Sequence, residues 1–165
     1  MLGYRALNFC GLLACIASLL FAIIYLEGML NLDPCPLCIL DRLVLAALGT
    51  VFALALISNP KAFLSRIYGT LAIAFSLAGV GLAGRHVWLQ GLPADQVPEC
   101  GPDLYFMLET LPVIEVAKKV LTASGSCAEV QWTFAGLTIP QQTLILFVGL
   151  LALSLALAFR PRESA

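Results

Sequence analysis

Four long stretches of this chain carry no charged side chain: Ala6–Leu26, Leu43–Ser58, Ile67–Gly84 and Pro140–Phe159. A helix needs about 20 apolar residues to cross about 30 Å of hydrocarbon. The second run reaches that length only if its helix starts near Cys38, which draws Asp41 and Arg42 into the first turns. The fourth starts naturally at Pro140, because proline suits the first turn of a helix and its missing N–H costs nothing there. The pattern therefore predicts an all-α membrane protein, one domain over residues 1–165, with four transmembrane helices at about 6–26, 38–58, 67–84 and 140–159. A short loop (about 27–37) and a long one (about 85–139) join them on one side. Inside the long loop, Val113, Val116, Ala117, Val120 and Leu121 recur at helical spacing, with Glu115, Lys118 and Lys119 on the other face and Pro112 at the start. That segment predicts a short amphipathic helix lying on the membrane surface.

Composition strengthens the membrane reading. The chain is 61% hydrophobic and 12% charged, with a mean hydropathy of +0.96, against about 45–50% and about 25% for soluble domains. A net charge of −1 offers no basic field for nucleic acid. The first 27 residues have the look of a leader, and Leu12-Leu13-Ala14-Cys15 loosely matches a lipoprotein cleavage box. The apolar run continues eleven residues past Cys15, where a cleavage site should close it. The segment is expected to remain as the first span.

Charge also sets an orientation. Arg5, Lys61, Arg66, Arg160 and Arg162 flank the helices on one side, with Glu163 as their acidic neighbour. Glu27, Asp33, Asp95, Glu99, Asp103, Glu109, Glu115 and Glu129 gather on the other, against Lys118, Lys119 and the boundary residues Arg42 and Arg85. The excess of basic residues marks the cytoplasmic face, so both termini are expected there and both loops outside.

The cysteines then divide. Cys10 and Cys15 lie within the first helix, where a thiol packs as a small hydrophobe. Cys35, Cys38, Cys100 and Cys127 fall on the outer side, one pair per loop, where thiols can be oxidised. Cys-x-x-Cys spacing alone is a weak signal. Its setting, Asp33-Pro34-Cys35-Pro36-Leu37-Cys38-Ile39-Leu40-Asp41-Arg42, is stronger. Cys38 is expected near the start of helix two, where helix amides favour a thiolate. Arg42 follows one turn deeper on the same face. An arginine at that depth either snorkels to lipid headgroups or serves a polar ligand; the thiol pair above it favours the second. No cysteine run fits an iron–sulfur cluster and no phosphate-binding fold has room here. A quinone, which lives in the bilayer and offers carbonyl acceptors, is the fitting electron acceptor. In the long loop, Pro98-Glu99-Cys100-Gly101-Pro102 presents its sulfur on an irregular segment suited to attack by another protein's thiol. Ser124-Gly125-Ser126-Cys127 is glycine- and serine-rich enough to let the sulfur of Cys127 move. A permanent staple closing the loop is the plainer alternative.

Taken together, Pro34-Cys35-Pro36-Leu37-Cys38 with Arg42, Arg85-His86-Val87-Trp88-Leu89-Gln90, Pro98-Glu99-Cys100, and Gly125-Ser126-Cys127-Ala128-Glu129 with Trp132, Phe134 and Gly136 resemble the bacterial disulfide bond formation protein B (DsbB) family over nearly the whole chain. The resemblance implies a multi-pass inner-membrane oxidoreductase that reoxidises a periplasmic thioredoxin-like oxidase of the DsbA type. Cys100–Cys127 would be the disulfide attacked by that partner, with Cys100 forming the mixed disulfide. Cys127 would then attack Cys35, and electrons would leave through Cys38 to ubiquinone or menaquinone, with Arg42 helping to bind it. His86 fits either a hydrogen bond to the quinone or an ordinary interfacial histidine. No metal is expected. Asp41 stands where relatives often carry glutamate, and Gln141 and Gln142 where some carry an aromatic. Gly79, Gly81 and Gly84 read as close-packing positions between helices. Two other readings stay open: a quinone reductase resembling vitamin K epoxide reductase, whose Cys-x-x-Cys normally lies late in the chain, and a non-catalytic scaffold whose outer cysteines form static disulfides or bind zinc.

Overall fold

The first helix, α1 (Tyr4–Leu20), begins beyond Gly3, whose carbonyl accepts from Leu7 N–H at 3.1 Å. Nothing in the apolar run that follows breaks it, and the helix continues as a nine-residue π-helical segment, Phe21–Met29. The computed structural model describes residues 3–93, 110–112, 114–115, 128 and 130–159. After Asn31, held at φ 50°, the chain turns through Asp33 and Pro34 into α2 (Pro36–Ser58). Pro36 opens this helix, where its fixed φ is already helical. Asn59, in the left-handed conformation, ends it, a conformation asparagine tolerates better than most residues. The next helix, α3 (Ala62–Gln90), has 29 residues. Two short strands, β1 (Thr133–Phe134) and β2 (Leu137–Thr138), pair antiparallel. Positive φ at both Ala135 (53°) and Gly136 (79°) is the signature of a two-residue hairpin turn matched to strand twist. The last helix, α4 (Ile139–Ala158), follows at once; Thr138 N–H donates to Gln141 Oε1 at 2.9 Å and Gln142 Nε2 donates to the Leu137 carbonyl at 3.0 Å. The glutamines thus fasten the start of α4 to the hairpin.

Among the described residues, four helices are long and apolar enough to cross a membrane: Tyr4–Met29, Pro36–Ser58, Ala62–Gln90 and Ile139–Ala158. The four expected spans are present, and each of the first three extends beyond its charge-free run. α3 gains most, taking in Arg66 at one end and Arg85 and His86 at the other. At about 1.5 Å per residue it is about 44 Å long, well beyond the hydrocarbon thickness, and backbone hydrogen bonding continues past the point where charges become affordable. Arg160 and Arg162, expected on the cytoplasmic side, most of the long loop and most of its expected amphipathic helix lie outside the described residues.

The helices pack in chain order, α1 on α2, α2 on α3 and α3 on α4, while α1 and α4 touch over only a short stretch. One apolar core runs through them, formed by Cys15, Leu45, Leu48, Phe52, Ala72, Ala83, Phe147 and Leu150 among others. Cys15 is fully buried against Gly49, where a β-carbon would lie 3.2 Å from its own. Cys10 is exposed. Gly79 packs against the ring of Phe147, leaving no room for a side chain, and a β-carbon on Gly69 would come within 3.0 Å of Ala158. The expectation for Gly81 and Gly84 is corrected: a β-carbon at either would meet nothing within 4 Å among the described residues.

Candidate functional site

The first cysteine pair sits where α2 begins. Cys35 is the N-cap, and its Sγ accepts the backbone N–H of Cys38 at 3.2 Å. Cys38 lies in the first turn, near the helix start as expected, and Cys35 is the cap, since Pro36 is pre-organised to be the first helical residue and leaves its predecessor in that position. The unpaired amides and the positive end of the helix dipole therefore face the sulfur of Cys35, an arrangement that favours negative charge there.

α3 supplies the third group. Its outer end brings His86, 3% exposed, to within 3.7 Å of Cys35 Sγ through Nε2. His86 is thus a buried neighbour of the thiol pair. A satellite core of Cys35, Leu37 and Leu89 packs beneath, joined by Leu40, Leu82 and Leu92. Leu111 packs on the same cluster. Among the described residues, Cys35, Cys38 and His86 place one donor atom each within 4.8 Å of one another.

Arg42 lies one turn beyond Cys38, as its spacing requires. Its guanidinium forms an ion pair through Nη1 with Glu27 Oε1, on the π-helical end of α1. The neighbouring Asp41 is buried, 6% exposed. The pairing of Arg42 with Glu27 escaped the sequence reading. The available signal was a lone carboxylate closing the first apolar run, but nothing in the spacing of two residues on different helices announces their contact.

These side chains surround a cavity. A pocket of about 80 Å³ is lined by Cys38, Asp41, Arg42 and His86 on its polar side and by Leu26, Leu45 and Leu146 on its apolar side. A second hollow, about 370 Å³, shares Ser18, Ala22, Leu26, Ile139, Thr143 and Leu146 with the first, and extends it toward Phe21 and Trp132. Together they form one groove in the gap between α1 and α4. The hairpin bridges its mouth: Trp132 stands 6.1 Å from Phe21 and 6.2 Å from Tyr25, and stacks on Phe134 at 6.0 Å. A polar head of small size would find Arg42 donors at the inner end and apolar walls along the rest, which is the shape and chemistry of a small-molecule site. Cys100 and Cys127 lie outside the described residues.

Known proteins agree on the family. The family model for disulfide bond formation protein DsbB matches residues 4–157. Disulfide bond formation protein B of Nitrosococcus oceani is 49% identical over 155 residues, covering 93% of this chain and 90% of its own. Its counterpart from Psychrobacter sp. (strain PRwf-1) is 46% identical over 164 residues, 97% of this chain and 94% of its own. That of Hahella chejuensis is 47% identical over 148 residues, 89% of this chain and 90% of its own. With a match over nearly its whole length and a thiol pair set at the head of a four-helix membrane bundle, this chain belongs to the DsbB family of disulfide bond formation proteins.

Proposed function

We propose that this protein is a dithiol:quinone oxidoreductase of the bacterial inner membrane that reoxidises a periplasmic thioredoxin-like oxidase of the DsbA type. The observation that carries the reading is the sharing of one cavity by Cys38, Arg42 and His86 beside the Cys35 cap. In this orientation both termini are cytoplasmic and the four outer cysteines face the periplasm.

The exchange runs along the two pairs. A thiolate of the reduced partner attacks Cys100 of the Cys100–Cys127 disulfide, forming a mixed disulfide and releasing Cys127. Cys127 attacks Cys35 of the Cys35–Cys38 disulfide, and Cys38 leaves as the thiolate. The partner's second thiol then displaces Cys100, so the partner departs oxidised, and Cys100 recovers its bond to Cys127 by displacing Cys35. A quinone in the cavity supplies a two-electron, two-proton acceptor, so that each new partner disulfide is matched by one quinol. The chain's residues do the rest. The Cys38 amide and His86 stabilise charge and hold a proton at Cys35 Sγ. Arg42 donates toward a carbonyl oxygen at the inner end of the cavity, and the walls of Leu26, Leu45 and Leu146 exclude water.

Quinone absorbance, followed with purified protein, a reduced thioredoxin-like oxidase and a soluble quinone analogue, tests this. Consumption should require both proteins and stop in Cys38→Ser. Quinone left untouched by a folded protein would overturn the proposal and leave the pair structural.

A further inference from the structure

Among the described residues, a stretch of unusual backbone lies beside the charge of Arg42. α1 abandons α-helical geometry for nine residues, Phe21–Met29, and π-helical turns cluster at functional sites because they re-aim side chains that a regular helix would send elsewhere. The side chain re-aimed here is Glu27. Leu26, its neighbour, is 5% exposed and lines both halves of the groove. Glu27 itself does not line the cavity; it takes Arg42 Nη1, and Arg42 lines the cavity. The acid therefore stands behind the arginine. A guanidinium offers five N–H donors in a fixed fork, so one engaged with Glu27 leaves others for a ligand. Without that anchor, a long cationic side chain at the rim of a membrane turns outward to the interface. Asp41 is no substitute, because adjacent helical residues point about 100° apart.

We propose that Glu27 is a positioning residue, which holds the Arg42 guanidinium against the cavity wall and aims its remaining donors at a quinone head. The inference rests on the reading of the cavity as a quinone site. It assigns Glu27 no contact with the quinone and no part in thiol exchange.

The test is an equilibrium titration of the full-length, detergent-solubilised protein with a short-chain soluble quinone analogue, read by quenching of tryptophan fluorescence, since Trp132 lines the groove. Glu27→Gln should weaken binding about tenfold, within the usual range for coupled neighbours. Glu27→Asp, which keeps the charge with a shorter reach, should recover part of the loss. In an Arg42→Ala background, Glu27→Gln should have no further effect, because the residue acts only through the arginine. In turnover the same substitution should raise the quinone KM and leave kcat within about twofold, as expected for lost positioning of a bound group. Equal losses in the wild-type and Arg42→Ala backgrounds would make Glu27 an independent structural residue and overturn the proposal, as would unchanged affinity in Glu27→Gln. Failure of the wild-type protein to bind the analogue at all would overturn the quinone reading itself, and this inference with it.

Discussion

The seam between α3 and α4 is closed, whereas the gap between α1 and α4 is hollow. Along the seam, Gly79 receives the Phe147 ring, Gly69 lies against Ala158, and the fully buried hydroxyls of Ser76 and Ser154 meet at 3.4 Å. Small residues let these two backbones approach, which is how helices associate where lipid removes the hydrophobic drive. At the gap, α1 and α4 touch over only a short stretch, and among the described residues the Trp132 hairpin spans the opening. The helix pair that holds the fold together is thus distinct from the pair that opens it. Close packing fixes α3, α3 carries His86, and the gap between α1 and α4 leaves a cavity beside Cys38.

This contrast can be broken from either side. The largest effect is expected at the thiols: Cys38→Ser should reduce quinone consumption to background, and Cys100→Ser should end turnover with the partner, both in proteins of unchanged helical content by circular dichroism. Next, Arg42→Ala should raise the quinone KM by tenfold or more, about 1.4 kcal/mol per factor of ten, while thiol titration finds the same disulfides. A KM equal to that of the parent would return Arg42 to the status of an interfacial cation. On the seam, Gly79→Ala should leave the quinone KM alone and cost about 1–3 kcal/mol of stability, the usual penalty for overpacking, measured by unfolding in mixed micelles. The smallest change is expected from Ser76→Ala, about 0.6 kcal/mol in the same assay, in line with polar contacts between membrane helices. Loss of activity without loss of stability in Gly79→Ala would dissolve the division between seam and gap.

How much of this was legible beforehand follows the range of the interactions involved. The four spans could be read from charge-free runs, because a bilayer imposes one length and one polarity on any helix that crosses it. Their ends could not, because helix hydrogen bonds persist beyond the hydrocarbon, as the tail of α3 through Arg85 and His86 shows. The start of α2 lies two residues before the expected one for a related reason: apolar length pointed to Cys38, while the proline and cap chemistry of Cys35-Pro36 set the true boundary. The π-helical turn of α1 left no trace in a run that is apolar on every face. The hairpin before α4 was missed although Ala135-Gly136 ends in a residue suited to positive φ; with two-residue strands, there is too little alternation to see.

What the sequence alone determined is therefore a class and a chemistry: a multi-spanning helical membrane protein with cysteine pairs beside an arginine, specific enough in its motifs to resemble one family. Hydropathy and covalent spacing decide those things locally. What only the tertiary structure decided is which groups share a space. Cys35 meets His86 from a helix 51 positions away, Arg42 meets Glu27 across 15, and a groove opens because α1 and α4 are held apart. Such contacts depend on how helices rotate and lean against one another, and the packing of distant side chains, more than any local pattern, sets those angles.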